Sequence, residues 1–416
     1  MVAEACFCLR SLDFMRSPSS KTALLVAAGA LAVLAVGPLS GGASGQEPAP
    51  AQPAASNPLA GDGMWIWYVS KAQRGKPKRI AKRARKRGIE VVLIKSGDGT
   101  KYWRQFSSSL VKALHARGLK VCAWQFVYGR SAAREARVAA AAADRGADCF
   151  VIDAEGHYEG RYPQASTYMS VLRSRVGPDY PIALATFPYV DYHPAFPYSV
   201  FLGPGGAQYN APQLYWKTIG HSVDTAFTRT YVFNRAYGRP ILPLGQVYLN
   251  PPAKQIRRFR ALAASHQMQG VSWWSWQHAR KKQWKAVGGR AGPIPGYQPY
   301  NSYPFLRQGS KGDLVAWAQQ LLAGGGYSTP ITGYFESPTL SAVLALQAAR
   351  GLPQTGNVDV PTWDVLLQFN ALPVRWTKSG AYPARKGGKH VLPEPRSAKL
   401  PAKGYELPPP KARRPR

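Results

Sequence analysis

The sequence predicts an α/β fold: a (βα)8 barrel of the TIM type, then a small all-α three-helix domain, between disordered termini. Three observations carry this. Apolar, β-branched or aromatic runs recur at near-equal intervals, at 64–69, 91–95, 120–127, 149–152, 182–187, 213–216, 241–247 and 271–276. Helical patterns separate several of them, as at 133–145 and 256–266. Strands alternating with helices read as βαβ units around a parallel sheet, and eight units within 62–287 fit the length of one barrel. Third, the 416-residue chain is 45% hydrophobic, enough to fill a core. Arg87-Gly88, Arg117-Gly118 and Arg145-Gly146 each precede a run, and glycine there suits a left-handed helix stop. The alternative is an open doubly wound sheet, but its G-x-G-x-x-G turn is missing.

The ends read differently. Arg10, Arg16 and Lys21 precede an apolar run at 23–36, which is followed by Pro38 and Gly41-Gly42-Ala43. That is the charge, apolar core and small-residue order of a secretory signal peptide over 1–43, with Met15 a possible start. The run falls short of the ~20 residues of a membrane span, so a retained anchor is the lesser alternative. A Pro/Ala/Gln/Ser linker at 44–61 is expected to be disordered, as is the basic Pro-rich tail at 371–416. A Gly/Pro/Tyr linker at 288–303 divides the two domains. The expected location is secreted and cell-wall associated, and the expected state is a monomer.

Removal of the signal would leave Cys122 and Cys149, both inside apolar strand-like runs. A disulfide is conceivable in an oxidising compartment. Buried free thiols are the favoured reading, since apolar strand cysteines usually behave as small hydrophobes. No metal-ligand spacing is visible and no cofactor is expected. The net charge of +33 favours polyanions. Export and the lack of any nucleic-acid motif argue against nucleic acid. The runs KPKRIAKRARKR at 76–87 and KARRPR at the C-terminus therefore read as adhesive surface for anionic wall polymers.

Residues 304–370 contain an internal echo. Thr332-Gly-Tyr-Phe-Glu-Ser-Pro-Thr339 and Thr355-Gly-Asn-Val-Asp-Val-Pro-Thr362 share a glycine turn, an apolar residue, and a Pro-Thr that opens a helix. Helical apolar spacing follows on Leu314, Ala318 and Leu321, on Leu340, Val343 and Leu344, and on Trp363, Leu366 and Leu367.

The run Cys149-Phe-Val-Ile-Asp153-Ala-Glu155-Gly156 holds the main chemical signal. On a strand, residues two apart face the same side, so Asp153 and Glu155 project together from its C-terminal end. In a (βα)8 barrel that end is the productive face. Paired acids there suit glycoside hydrolysis, with Glu155 as proton donor and Asp153 as its charge-stabilising partner or nucleophile. Aromatic shielding would keep the proton on Glu155 to higher pH. Rings are plentiful near strand ends, at Trp65, Trp67, Tyr128, Tyr189, Tyr215, Trp216, Trp273 and Trp276. Amides recur there too, at Gln125, Gln213, Gln246 and Gln277. The expected sugar-contacting set is Tyr215, Gln213, Trp273, Trp276, Gln277 and Tyr128, with His157 and Asp191 as further loop candidates. The competing reading pairs both acids with Lys95 or Lys217, which would make a structural cluster with depressed carboxylate pKa values.

The C-terminal segment resembles the small peptidoglycan-binding domain of many bacterial wall hydrolases. The resemblance runs through Leu306-Arg-Gln-Gly309, Gly312-Asp-Leu-Val315, Gln319-Gln320-Leu-Leu322, Gly333-Tyr-Phe335, Thr339, Gln347, Gly356-Asn-Val358 and Thr362-Trp363. It departs at Thr332 and Thr355, where that family often has Asp. The barrel resembles glycosidase barrels of the chitinase and lysozyme kind. Asp148-Cys-Phe-Val151-Ile-Asp153-Ala-Glu155 fits the D-x-x-D-x-D-x-E of family 18 chitinases except at Val151. Gly270-Val-Ser-Trp-Trp-Ser-Trp-Gln277 resembles their tryptophan-bearing last strand and that of family 25 lysozymes. The first-strand Asp of those lysozymes is missing from Met64-Trp-Ile-Trp-Tyr68. The chitinase resemblance implies that Asp153 and Tyr215 hold a substrate 2-acetamido group. Together these imply an exported protein that binds peptidoglycan and hydrolyses an N-acetylated glycan, as a muramidase- or chitinase-like hydrolase. The alternative is a non-catalytic, glycan-binding degenerate barrel. An amidase or peptidase lacks the expected metal or Cys/His spacing.

Overall fold

A computed structural model describes residues 57–289 and 291–376. The expected signal peptide, the linker up to 56 and the tail beyond 376 lie outside the described residues. All eight expected runs form parallel strands: Gly61–Ile66, Ile89–Asp98, Lys120–Val127, Cys149–Ala154, Ile182–Ala185, a sixth in two halves (Tyr209–Asn210 and Gln213–Leu214), Leu244–Gln246 and Gly270–Trp274. The fifth pairs with the first half of the sixth, and the second half pairs with the seventh. The seventh pairs with the eighth, and the eighth with the first.

Proline divides the sixth strand. Pro212 has no N–H to give to a ladder, yet its carbonyl accepts from Leu244, and Ala211 and Gln213 donate back to Leu184 and Thr186. The circuit therefore closes, which a doubly wound sheet cannot do. Gly88, Gly118 and Gly146 have φ of +66°, +71° and +86°, the left-handed stops read from the sequence.

Alternation on the strands separates two apolar regions. Trp65, Leu93, Cys122, Trp124, Cys149 and Val151 fill the barrel interior. Met64, Ile94, Ala123, Ile152 and Trp273 face the surrounding helices. Cys122 and Cys149 are register partners on adjacent strands and point to the same side. They form a disulfide with Cα atoms 4.6 Å apart, which corrects the free-thiol reading. Apolar context describes where a cysteine sits, whereas register decides what lies opposite it.

Three helices, Asp313–Gly324, Ser337–Ala349 and Val360–Leu366, build the C-terminal module. Its echo has a physical basis in two buried glutamines. Gln319 accepts from the N–H groups of Thr332 and Gly333 and donates to Tyr334 O and Thr339 Oγ1. Gln347 does the same one helix later, accepting from Gly356 N–H and donating to Asn357 O and Thr362 Oγ1. Thr332 and Thr355, at the positions where Asp is usual, use their hydroxyls to accept from the N–H two residues on.

The module packs directly on the barrel. Asp313 is fully buried and its carboxylate accepts from Tyr162 Oη (2.7 Å), Ser199 N (2.8 Å), Ser199 Oγ (2.7 Å) and Tyr237 Oη (2.8 Å). Trp317 Nε1 donates to Ala236 O at 2.7 Å. Among its described residues the segment 288–303 has no helix or strand, but it is laid against the fold. Tyr297 Oη meets His266 Nε2 at 3.2 Å, and Arg235 donates to Tyr303 Oη at 2.9 Å. Past 370, where a disordered tail was expected to begin, the chain still packs as far as Trp376, which is buried against Tyr162.

Candidate functional site at the barrel mouth

The fourth strand places Cys149, Val151 and Asp153 on its inward side, and Glu155 follows in extended conformation. Asp153 is 7% exposed and Glu155 is half-buried. One amide joins them. Gln213 Nε2, on the sixth strand, donates to Asp153 Oδ1 at 2.9 Å and to Glu155 Oε1 at 3.0 Å. An amide nitrogen has two hydrogens, and here each goes to a different carboxyl.

Both carboxyls titrate above their ordinary range. Burial pushes Asp153 well up, and the neighbouring Glu155 charge adds to it against the pull of Lys95. Burial also raises Glu155, opposed by the Gln213 hydrogen bond and by His193. The competing cluster is not formed. Lys95 pairs with Asp98 at 2.6 Å and Lys217 donates to Leu249 O at 2.8 Å. Among the described residues neither Asp153 nor Glu155 has an ion-pair partner.

Asp98 is the acid that the sequence reading missed. Strand alternation would put residues 95 and 98 on opposite faces. The register of the second strand shifts between Lys95 and Gly97, and this bulge turns Asp98 back toward the lysine. Asp98 Oδ1 also accepts from Tyr128 Oη at 2.8 Å. The Lys95 ammonium, 3% exposed, lies 4.6 Å from the Trp103 ring centroid, 4.9 Å from Trp124 and 5.2 Å from Trp67. Such rings stabilise a desolvated cation.

The aromatic expectations divide by strand parity. Trp274 faces inward, 5.3 Å from Trp124 and 5.6 Å from Trp65. Trp273 therefore faces outward, fully buried 5.1 Å from Phe259. Trp276 shares the parity of Trp274 but lies past the strand's end, where alternation no longer holds, and packs 4.7 Å from Trp284 in the outer layer. Neither reaches the mouth, so both are corrected as sugar contacts. Trp67 and Trp274 are the half-buried rings at the first and eighth strand ends.

Gln277 is otherwise engaged. It accepts from Trp67 N–H at 3.3 Å and donates to Tyr68 O at 2.7 Å, which fixes the exit of the first strand. Gln125 and Gln246 are fully buried, bonded to Gly99 O and to Lys217 N–H, so Gln213 alone of the four meets the acids. Tyr215 lies beside the pair, and burial pushes its phenol well above the ordinary range, so it stays a donor. Asp191 pairs with Arg229. His157 packs its ring on Phe126 and Tyr128. His193, not singled out from the sequence, bonds Glu159 Oε1 at 2.6 Å and stacks 3.4 Å from the Phe187 ring. It lies in a loop, where no periodicity could have marked it.

Fold and site thus define a closed (βα)8 barrel with an acid pair, Asp153 buried and Glu155 half-buried, at its C-terminal mouth, joined to a docked three-helix module. Residues 311–366 match the family described as "Putative peptidoglycan binding domain". No curated protein matches the chain. Among solved structures the chain is similar to a chitinase from Chromobacterium violaceum, at 12% identity over 55% of this chain and 98% of that chain, with a TM-score of 0.39. It is also similar to the spore cortex-lytic enzyme SleL of Bacillus cereus, at 10% identity over 56% and 75%, TM-score 0.42. A dihydrodipicolinate synthase from Rhodopseudomonas palustris is similar at 14% identity over 52% and 71%, TM-score 0.32. Likeness at these levels carries no activity with it.

Proposed function

We propose that this is an exported cell-wall protein that binds peptidoglycan through its C-terminal module and hydrolyses an N-acetylated glycan at Asp153 and Glu155. The observation that carries the reading is the single Gln213 amide donating to both acids at the barrel mouth. A shared amide holds the two carboxyls side by side, one to donate a proton and the other to orient the group that attacks the anomeric carbon. The match at 311–366 supports the wall ligand.

In this mechanism Glu155, whose carboxyl burial raises above its ordinary range, gives its proton to the glycosidic oxygen as the bond to the anomeric carbon breaks. The substrate's own acetamido oxygen attacks that carbon, and Asp153 and Tyr215 orient the acetamido group. Glu155, now a carboxylate, then takes a proton from the water that opens the intermediate. Trp67 and Trp274 offer rings to the apolar faces of sugars.

The test is release of reducing ends from purified peptidoglycan and from chitin oligomers. Turnover by the wild type that is lost in Glu155→Gln supports the proposal, and equal inertness of both sinks it. One observation favours the second reading, a barrel that binds glycan without cleaving it. Val151 is fully buried on the inward face beneath Asp153, so that position offers the pair no carboxyl.

A further inference from the structure

The helix Pro77–Arg85 carries more cations than its own stability calls for: Lys82 and Arg85 in the last turn suit the helix dipole, but the cations of the first turn do not. Lys78, Lys82 and Arg85 fall at i, i+4 and i+7, on one face, and all three are exposed. Like charges at i, i+4 destabilise a helix. Cations in the first turn also oppose the helix dipole, yet that turn holds Lys78 and Arg79 and no acid. Ile80 and Ala84 are buried on the far side of the helix, and Ala81 is buried at the foot of the stripe.

Arg117, just past the neighbouring helix Ser108–His115, completes a shallow groove with Lys78, Ala81, Lys82 and Arg85. Among the described residues none of these four cations has an ion-pair partner. The nearby acid Asp148 is occupied by His115 at 2.8 Å. From Lys78 to Arg85 the stripe runs about 10 Å along the helix axis, longer than a single phosphate needs.

We propose that this groove is a binding site for a phosphodiester-linked polyol polymer of the cell envelope. The class of polymer rests on the wall reading above, while the site itself rests on the groove. Its lining contains no aromatic ring on which a nucleic-acid base could stack. It also presents no large apolar side chain to enter a lipid layer. Repeated monodentate and forked cation contacts of this kind suit a chain of regularly spaced phosphates. In a parallel barrel the C-terminal ends of the helices lie opposite the mouth. Arg85 and Arg117 are therefore on the far face from Asp153 and Glu155, and a bound polymer leaves the mouth open.

The experiment measures binding of the full chain to poly(glycerol phosphate) across a salt series. The variant is Lys78→Gln/Lys82→Gln/Arg85→Gln/Arg117→Gln. A charge-matched control, Lys254→Gln/Arg257→Gln/Lys281→Gln/Lys282→Gln, removes four exposed cations from another face. The groove variant is expected to bind at least tenfold more weakly with a shallower salt slope, at an unchanged melting temperature. The control is expected to lose no more than threefold. Equal losses would mean net charge alone acts, and would overturn the site. Tighter groove-dependent binding to single-stranded DNA or to phosphatidylglycerol vesicles would overturn the polymer class. Glycan hydrolysis in the groove variant is expected to match the wild type, so failure of the groove leaves the mouth chemistry standing.

Discussion

Asp153 and Asp313 are both buried carboxyls, and their surroundings are opposite. Asp313 meets four donors, two tyrosine hydroxyls and both donors of Ser199, which join the module to the barrel. Asp153 shares one amide nitrogen with Glu155 and has a second acid beside it. The first arrangement satisfies a carboxylate at a domain interface. The second leaves two carboxyls with one amide nitrogen between them, and burial raises both above their ordinary range. Burial alone therefore does not mark a catalytic acid. The ratio of donors to carboxyl oxygens separates the joint from the candidate site.

The largest expected effect is at the mouth. Glu155→Gln should lower glycan hydrolysis by about 10²- to 10⁴-fold, the usual worth of a positioned acid, with little change in melting temperature. If the barrel only binds, sugar affinity by calorimetry will survive this change and no turnover will be seen in either protein.

At the joint, Asp313→Ala strands four donors without an acceptor, and a loss of about 3–5 kcal/mol in chemical denaturation is expected, since each unsatisfied buried donor costs about 1–3 kcal/mol. Burial outweighs those donors and lifts the Asp313 pKa to about 6. A raised native pKa means that this residue's stabilisation is fully present below the ordinary carboxylate range and is lost as pH rises through about 6. Wild type should therefore gain on Asp313→Asn as pH falls from neutrality, and a wild-type stability that instead rises relative to the variant with rising pH would contradict it.

Replacing both Cys122 and Cys149 with alanine should cost about 3 to 4 kcal/mol for a loop of this length; the crosslink spans 27 residues. A matching loss under reducing conditions in the wild type would confirm the bond. Gln213→Leu removes the hydrogen bonds that hold both acids down, so both pKa values rise. The alkaline limb of the pH–activity profile, set by loss of the Glu155 proton, should then move to higher pH with a reduced maximum. The smallest effect belongs to the module's turn, where Thr332→Asp should change stability by no more than about 0.5 kcal/mol because either side chain can accept from the same N–H.

The sequence by itself determined the periodic architecture. Apolar runs at strand length, helix stops at Gly88, Gly118 and Gly146, and the Thr-Gly/Pro-Thr echo are local signals written by backbone sterics and hydrogen bonding. It also placed Asp153 and Glu155 on one face, because their spacing of two is a property of the strand itself. What it could not decide depended on register between strands or on contacts across the fold. Cys122 and Cys149 pair because the third and fourth strands align them, and Asp98 joins Lys95 because a bulge breaks alternation. Trp274 rather than Trp273 enters the barrel because the pleat of the eighth strand is phased by its neighbours. Asp313, read from sequence as one position in a module, became the joint because the tyrosines that meet it lie more than seventy residues away. Local periodicity is encoded within a segment, while the partner of a side chain is fixed only when distant segments close on one another.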